Sequence, residues 1–202
     1  MKRFNIFPSL VYLVDCDELI DDVKSACENY DWNDTLSNEG SNLSSKKNIL
    51  EQEYINLVKL FEDKVNLTLD EIGYDNKFQL TNSWFTKTEP SSQIIRHNHN
   101  NSLWSSVFYF DDNCGHLTFY KNSPAIYIVP DNANPDLLMY GAVHFPCVKG
   151  KMLLFPSELD HAVMNNSSNR VRYSLAMNFM PLGLCGFGDS SYFYKNANES
   201  TN

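Results

Sequence analysis

The stretch from Lys77 to Phe179 constrains the fold most. It breaks into short runs rich in β-branched and aromatic residues: FQLTNSWFTK, SQIIRHNH, LWSSVFYF, HLTFYK, AIYIV, GAVHF, KMLLF, HAVMN and RVRYSLAMNF. Turn residues separate them, and no helical pattern intervenes. Strands at this spacing pair antiparallel and close into a sandwich or a barrel. The chain ahead of them reads differently. Phe4 to Val14 has the composition of a strand, and Asp15 and Asp17 then offer caps for a helix from Glu18 to Tyr30. Leu19, Ile20, Val23, Ala26, Cys27 and Tyr30 form its apolar stripe. Asn33 to Ser45 reads as a polar loop. A second helix is expected over Ile49 to Ile72, with Asn48 and Glu51 spaced as a capping box.

At 202 residues the chain is long enough to bury a substantial core, and one domain is expected. Residues 1–76 would brace the barrel, 77–181 would form it, and 182–202 would be a tail. Its aromatics Phe187, Tyr192, Phe193 and Tyr194 are expected to dock on the body. The net charge of -9 argues against nucleic acid and anionic membranes as partners, since both select basic patches. No apolar run approaches the ~20 residues that span a bilayer. The five cysteines are odd in number, scattered and outside any C-x-x-C pair, which fits a reducing cytoplasm. The N-terminus lacks a small-residue cleavage site and reads as a strand, not a signal peptide. A homodimer is compatible with all of this.

Chemistry concentrates in three places. His97 and His99 sit two residues apart on a strand-like run, and period 2 turns both imidazoles to one face, where they can grip one metal ion. In GKMLLFPSELDH an apolar strand ends at Pro156, a tight turn follows, and His161 opens the next strand. In the last strong strand, Arg172, Ser174, Ala176 and Asn178 share one face and Tyr173, Leu175, Met177 and Phe179 the other. If the apolar face packs on the helices, the Arg172 face lines a cavity. A buried guanidinium there requires an anionic partner, and a ligand carboxylate supplies one in a bidentate fork. Parity adds Tyr109 and Asn178 as pocket candidates, and Asn82 lies in the strand before the first histidine. His116 and His144 each stand alone on apolar runs and read as structural. Trp84 and Trp104 read as core.

The blocks HNHNNSLWSSVFYF, GKMLLFPSELDHAVMNN and RVRYSLAMNF, in that order, resemble the 2OG-Fe(II) oxygenase family, whose pattern is HxHxNSxxSGVYY, then FPSxxxH, then RxSxxFN. The opening FPSLVYLVD also resembles the start of that family. The resemblance implies a mainly β fold, a double-stranded β-helix (a jelly-roll, cupin-like barrel) with N-terminal supporting α-helices. It implies Fe(II) held by His97, His99 and His161, with His99 in the place of the usual carboxylate. It implies 2-oxoglutarate as cosubstrate, its distal carboxylate on Arg172 and Ser174, and O2 as oxidant. The activity would be that of a dioxygenase, a hydroxylase of the prolyl-hydroxylase kind among the options. It would couple decarboxylation of 2-oxoglutarate to oxidation of a C–H bond in a small-molecule or peptide substrate. The chain departs from the pattern at Ser105-Ser106, where the family has Ser-Gly.

A rival reading is a cupin-type three-histidine metalloprotein that does not use 2-oxoglutarate. Gly150, Pro156, His161 and Asn165 fit the second cupin motif, with Glu158 in place of its middle Gly. The glutamate of the first cupin motif is missing, since Asn100, Asn101, Ser102 and Leu103 follow the H-x-H. Arg172-x-Ser174 separates the two readings, because a cupin has no use for that pair. A third reading keeps the barrel without the metal, as an interaction protein. Substrate choice would lie in the loops Asn100 to Trp104 and Pro124 to Tyr140, and VPDNANPDL is expected to overhang the pocket mouth.

Overall fold

The computed structural model describes residues 9–33, 35–39, 42–113, 115–121 and 141–195. Strand β1 (Tyr12–Asp15) leads through one 3-10 turn into helix α1 (Ile20–Asn29). Hairpin β2 (Thr35–Glu39) and β3 (Asn42–Ser45) follows, then α2 (Ile49–Glu53) and α3 (Ile55–Leu69). The barrel strands are β4 (Phe78–Thr88), β5 (Ile94–His97), β6 (Trp104–Tyr109), β7 (His116–Tyr120), β8 (Ala142–Pro146), β9 (Lys151–Pro156), β10 (His161–Val163) and β11 (Arg172–Pro181). Strands β12 (Gly183–Cys185) and β13 (Tyr192–Tyr194) close the described chain as a separate hairpin.

Two antiparallel sheets face each other. The larger runs β1-β9-β6-β11-β4-β3-β2 and the smaller β5-β10-β7-β8. From β4 to β11 the chain passes back and forth between them, which is the jelly-roll winding. Alternation along each strand of the large sheet then divides its side chains between two cores. Val107, Tyr109, Leu153 and Phe155 face inward and pack with Leu117, Phe119 and Val163 of the small sheet. Phe85, Phe108, Met152, Leu154, Leu175, Met177 and Phe179 face outward and pack on the helices. Helix α3 meets them with Leu57, Val58, Phe61, Val65 and Leu69, the stripe of an amphipathic helix. A 3-10 turn then ends at Gly73, whose φ of +83° is a left-handed cap that suits glycine.

Several local expectations give way to tertiary context. The polar segment 33–45 contains a hairpin, and its strand β3 pairs with β4 through Asn42↔Thr88, Leu43↔Lys87 and Ser44↔Thr86. Composition reports on side chains, whereas an open sheet edge recruits any backbone that can satisfy its N–H and C=O groups. The long second helix is broken at Tyr54 (φ -135°, ψ 52°). The capping box does not form, because Asn48 is left-handed (φ 64°) and makes no side-chain cap. Ser83 of β4 accepts the Leu50 N–H at 2.9 Å instead, and the Glu51 carboxylate bonds the same hydroxyl. Burial pushes the Glu51 carboxyl above its ordinary value.

The tail aromatics do not all dock, since Phe187 is 93% exposed and Tyr192 and Phe193 are exposed as well. What anchors the tail is polar: Asn76 Nδ2 donates to the Leu182 and Leu184 carbonyls. Strand β1 begins at Tyr12, while Phe4–Pro8, Ala125–Val129 and the VPDNANPDL segment lie outside the described residues. Among the described residues no helix is long and apolar enough to cross a membrane.

Phe61 is fully buried and meets Phe108 edge-on at 5.5 Å. Phe61→Ala is expected to destabilise the protein by about 3–5 kcal/mol in chemical denaturation. A loss under ~1 kcal/mol would mean that α3 is not seated on the sheet as described.

Candidate metal centre and cavity

The small sheet brings two of the histidines together through its hydrogen-bond ladder. His161, the first residue of β10, is the direct antiparallel partner of His97, the last residue of β5. Partners across a ladder share a face, and their ring centroids are 4.4 Å apart. His99 lies beyond the end of β5, so strand parity alone does not orient it. Its backbone N–H donates to the Ser157 carbonyl at 2.9 Å, in the turn before β10. That bond brings its ring to 5.3 Å from His97 and 5.1 Å from His161. One ring nitrogen from each histidine lies within 4.8 Å of the others.

Hydrogen bonds decide which nitrogens these are. His97 Nδ1 lies 2.8 Å from the Ile95 carbonyl and His161 Nδ1 lies 2.8 Å from the Leu159 carbonyl. A carbonyl only accepts, so both Nδ1 atoms carry the proton and both Nε2 lone pairs are available to a cation. His99 Nδ1 lies 2.7 Å from Asn178 Oδ1 and 3.1 Å from Ser105 Oγ. Burial pushes the His161 imidazole down to about 3, with the His97 charge adding to the effect. Burial also lowers His99, against the Asn178 hydrogen bond, which raises it. Imidazoles whose Nδ1 is held by a hydrogen bond and whose Nε2 faces the shared volume are what a divalent transition-metal ion requires of its ligands, so this donor set fits one.

The residues of opposite parity face the other way. Asp160 accepts from Arg96 Nε and Nη2 at 2.8 and 2.6 Å and from Asn98 Nδ2 at 2.9 Å. It therefore ties the end of β5 to the start of β10 from outside, while His97, His99 and His161 face in.

The imidazoles form one wall of a cavity of about 280 Å3 between the sheets. Ser174 and Ala176 of β11 line it, as do Trp84 and Thr86 of β4 and Ser44 of β3. Trp84 therefore belongs to the site and not to the core, with its ring 5.5 Å from His99. Trp84, Thr86 and Ser44 were missed by sequence reasoning. The register Ser174↔Thr86 and Ala176↔Trp84 puts the first two on the cavity face, and that pairing is invisible before the strands are matched. Ser44 arrives with the unexpected hairpin.

Arg172 is 3% exposed and stands two residues along the same face from Ser174. Its guanidinium does not form the cavity wall: Nη2 donates to the Met164 carbonyl at 3.1 Å. Gly115 (φ +76°) makes room for it, since a Cβ there would fall 2.3 Å from Nη1. The other pocket candidates are placed elsewhere. Asn82 donates to Asn48 Oδ1 at 3.0 Å, Tyr109 is packed in the inner core, and Asn178 stands behind His99. None of these three lines the cavity, because β4 and β11 carry them past it and the inner core takes up Tyr109. Of the solitary histidines, His144 Nδ1 lies 2.7 Å from Thr118 Oγ1. Trp104 is buried in the outer core.

A two-sheet jelly roll with imidazoles converging on a cavity between the sheets has the architecture of the 2-oxoglutarate-dependent oxygenases. The epimerase SnoN of nogalamycin biosynthesis, solved with Fe3+, α-ketoglutarate and nogalamycin RO, shares the fold. Its TM-score is 0.64 at 11% identity, over 84% of this chain and 78% of that one. HygX of Streptomyces hygroscopicus, solved with nickel, 2-oxoglutarate and hygromycin B, superposes with TM-score 0.62 at 12% identity, over 86% and 83%. A Pseudomonas putida prolyl-4-hydroxylase does so with TM-score 0.54 at 16% identity, over 86% and 93%. No curated protein matches the chain in sequence. Residues 82–178 match the family model described as "Putative 2OG-Fe(II) oxygenase". Over that segment the chain is similar to this family, whose members are oxygenases dependent on iron(II), 2-oxoglutarate and O2. The cupin and non-catalytic readings are set aside.

The depressed His161 imidazole makes stability depend on pH. Unfolded, this residue takes up a proton below about 6.5. Folded, it resists protonation down to about 3. Between those values the unfolded state binds more protons, so acid shifts the equilibrium toward unfolding. Metal-free protein is expected to lose up to about 1.4 kcal/mol per pH unit across this window from this one group. Denaturation midpoints from pH 7 to pH 4 test it, and the slope should flatten in His161→Ala.

Proposed function

We propose that the chain is a hydroxylase that couples decarboxylation of 2-oxoglutarate to oxidation of a C–H bond in a small molecule or a peptide. The observation that carries this reading is the convergence of three imidazoles on the wall of a cavity between the sheets. His97, His99 and His161 hold the iron(II). Arg172 and Ser174 take the distal carboxylate of the cosubstrate. When bound, the iron supplies the means of activating O2, and the 2-oxo acid supplies two of the electrons.

The remaining steps belong to the chain's own side chains. Apolar walls from Val107, Leu117, Val163 and Ala176 exclude water from the reacting volume. The Arg172 guanidinium is already desolvated, so a carboxylate reaching it forms charge-assisted hydrogen bonds in a low-dielectric setting. Ser174, on the cavity wall, offers a hydroxyl donor along the same face. A volume of about 280 Å3 lies just below the ~300–1,000 Å3 of pockets that enclose whole drug-sized ligands. The cavity accordingly takes the five-carbon diacid and the reacting end of the second substrate, and the rest of that substrate lies outside it. Similarity to HygX and SnoN, solved with hygromycin B and nogalamycin RO, supports a small molecule, and similarity to the prolyl-4-hydroxylase supports a prolyl group as the alternative.

Anaerobic titration with Fe(II) and 2-oxoglutarate should develop the visible metal-to-ligand charge-transfer band of a bound 2-oxo acid. Its absence at saturating concentrations of both would overturn the proposal. Arg172→Ala should weaken 2-oxoglutarate at least about tenfold, since hydrogen bonds to charged groups contribute ~1.5–3 kcal/mol, and should spare metal affinity. Equal 2-oxoglutarate affinity in the two proteins removes Arg172 from the role. His161→Ala should abolish metal binding, as measured by metal content after dialysis.

A further inference from the structure

The three imidazoles are not held in the same way. His97 and His161 each donate Nδ1–H to the backbone carbonyl two residues earlier, Ile95 and Leu159. Any side chain at those positions leaves such a bond intact. His99 alone depends on side chains, and they come from three separate elements. Asn178 is on β11, Ser105 on β6, and Ser157 in the turn after β9. Both serines are fully buried and Asn178 is 8% exposed. Resting on the reading of His99 as a metal ligand, we propose that Asn178, backed by Ser105 and Ser157, is the positioning residue that sets the tautomer and direction of His99.

The proton order of the network follows from its chemistry. Asn178 Oδ1 only accepts, and both His99 Nδ1 at 2.7 Å and Ser105 Oγ at 2.8 Å point at it. If Nδ1 were unprotonated, two lone pairs would face each other at that distance. Nδ1 therefore carries the hydrogen, and Nε2 presents its lone pair to the cavity. Ser105 donates to Asn178, so its own oxygen accepts from the Ser157 hydroxyl at 2.8 Å. Ser157 also accepts the His99 backbone N–H through its carbonyl. It thus holds the main chain of His99 while supporting the group that holds the ring.

Local backbone geometry agrees with this assignment. The β11–β4 register slips between Asn178 and Phe179, where Asn178 faces Asn82 and Phe179 faces Leu80. The residue left over, Thr81, donates its hydroxyl to the Asn178 carbonyl at 3.2 Å. A bulge of this kind re-aims the side chain beside it and recurs next to functional sites. Asn178 is neutral, so His99 is held as an uncharged donor where other members of the superfamily place a carboxylate. A carboxylate at 178 would keep the acceptor and strengthen the imidazole as a donor.

Full-length wild type, Asn178→Leu, Asn178→Asp and His99→Ala would each be titrated with Co(II), following the visible d–d absorption. Asn178→Leu should bind Co(II) about 10–100-fold more weakly, with altered band intensity as the third ligand is misaimed. Asn178→Asp should bind at least as tightly as wild type. If His99→Ala weakens Co(II) but Asn178→Leu binds as tightly as wild type, the role of Asn178 is overturned and the three-histidine reading stands. If His99→Ala binds as tightly as wild type, the reading of His99 as a ligand fails, and this proposal with it. Nitrogen NMR of Zn(II)-loaded wild type decides the matter should Asn178→Leu not fold. His99 Nδ1 should appear protonated, and an unprotonated Nδ1 overturns the proposal.

Discussion

Strand β11 is the constraint on which the rest of the structure depends. It lies between β4 and β6 at the centre of the large sheet, and its two faces serve different purposes. Leu175, Met177 and Phe179 are fully buried against the helices. That burial is the main driving force for seating the helical layer on the sheet. With this face committed, a slip of one residue would turn Arg172, Ser174 and Asn178 into the helical core. The packing energy of one face thereby fixes the position of polar groups on the other. Site geometry is a by-product of hydrophobic registration on the far side of the sheet.

The small sheet contributes little area and sets the most exact relationship. Its strands β5 and β10 are short, and the His97↔His161 pairing lies at their edge. Strands of that length hold register weakly by themselves. Asp160, joined to Arg96 and Asn98, clasps the same two strands on the outer side. The result is a site in which the inward residues hold a cation's worth of lone pairs and the outward residues hold the ladder. Burial disfavours the charged forms of His161 and His99, and uncharged imidazoles are what a metal ion would require of them.

Much of this was legible in the one-dimensional pattern. Period 2 in RVRYSLAMNF separates the helix-packing face from the polar face, because strand side chains alternate whatever the fold. The pairing of H-x-H with a histidine after a Pro turn was legible as well, and the ordered blocks pointed to the family whose model matches residues 82–178. The hairpin at 35–45 was not legible. Its strands are held by backbone hydrogen bonds to an edge supplied by β4, and side-chain composition carries no record of that edge. Trp84 was read as core because large aromatics usually are. Only the β4–β11 register shows that it faces the cavity.

The sequence by itself determined which residues alternate, which are apolar and which can ligate, since these follow from side-chain chemistry and local geometry. The tertiary structure decided what each of them meets. His99 is the clearest case. Sequence parity assigned it to the His97 face by continuing a strand, yet the strand ends at His97. The ring arrives beside its neighbours because a carbonyl from one turn and an amide from another strand capture it. Those partners are remote in sequence, and only a folded chain brings them within hydrogen-bonding distance.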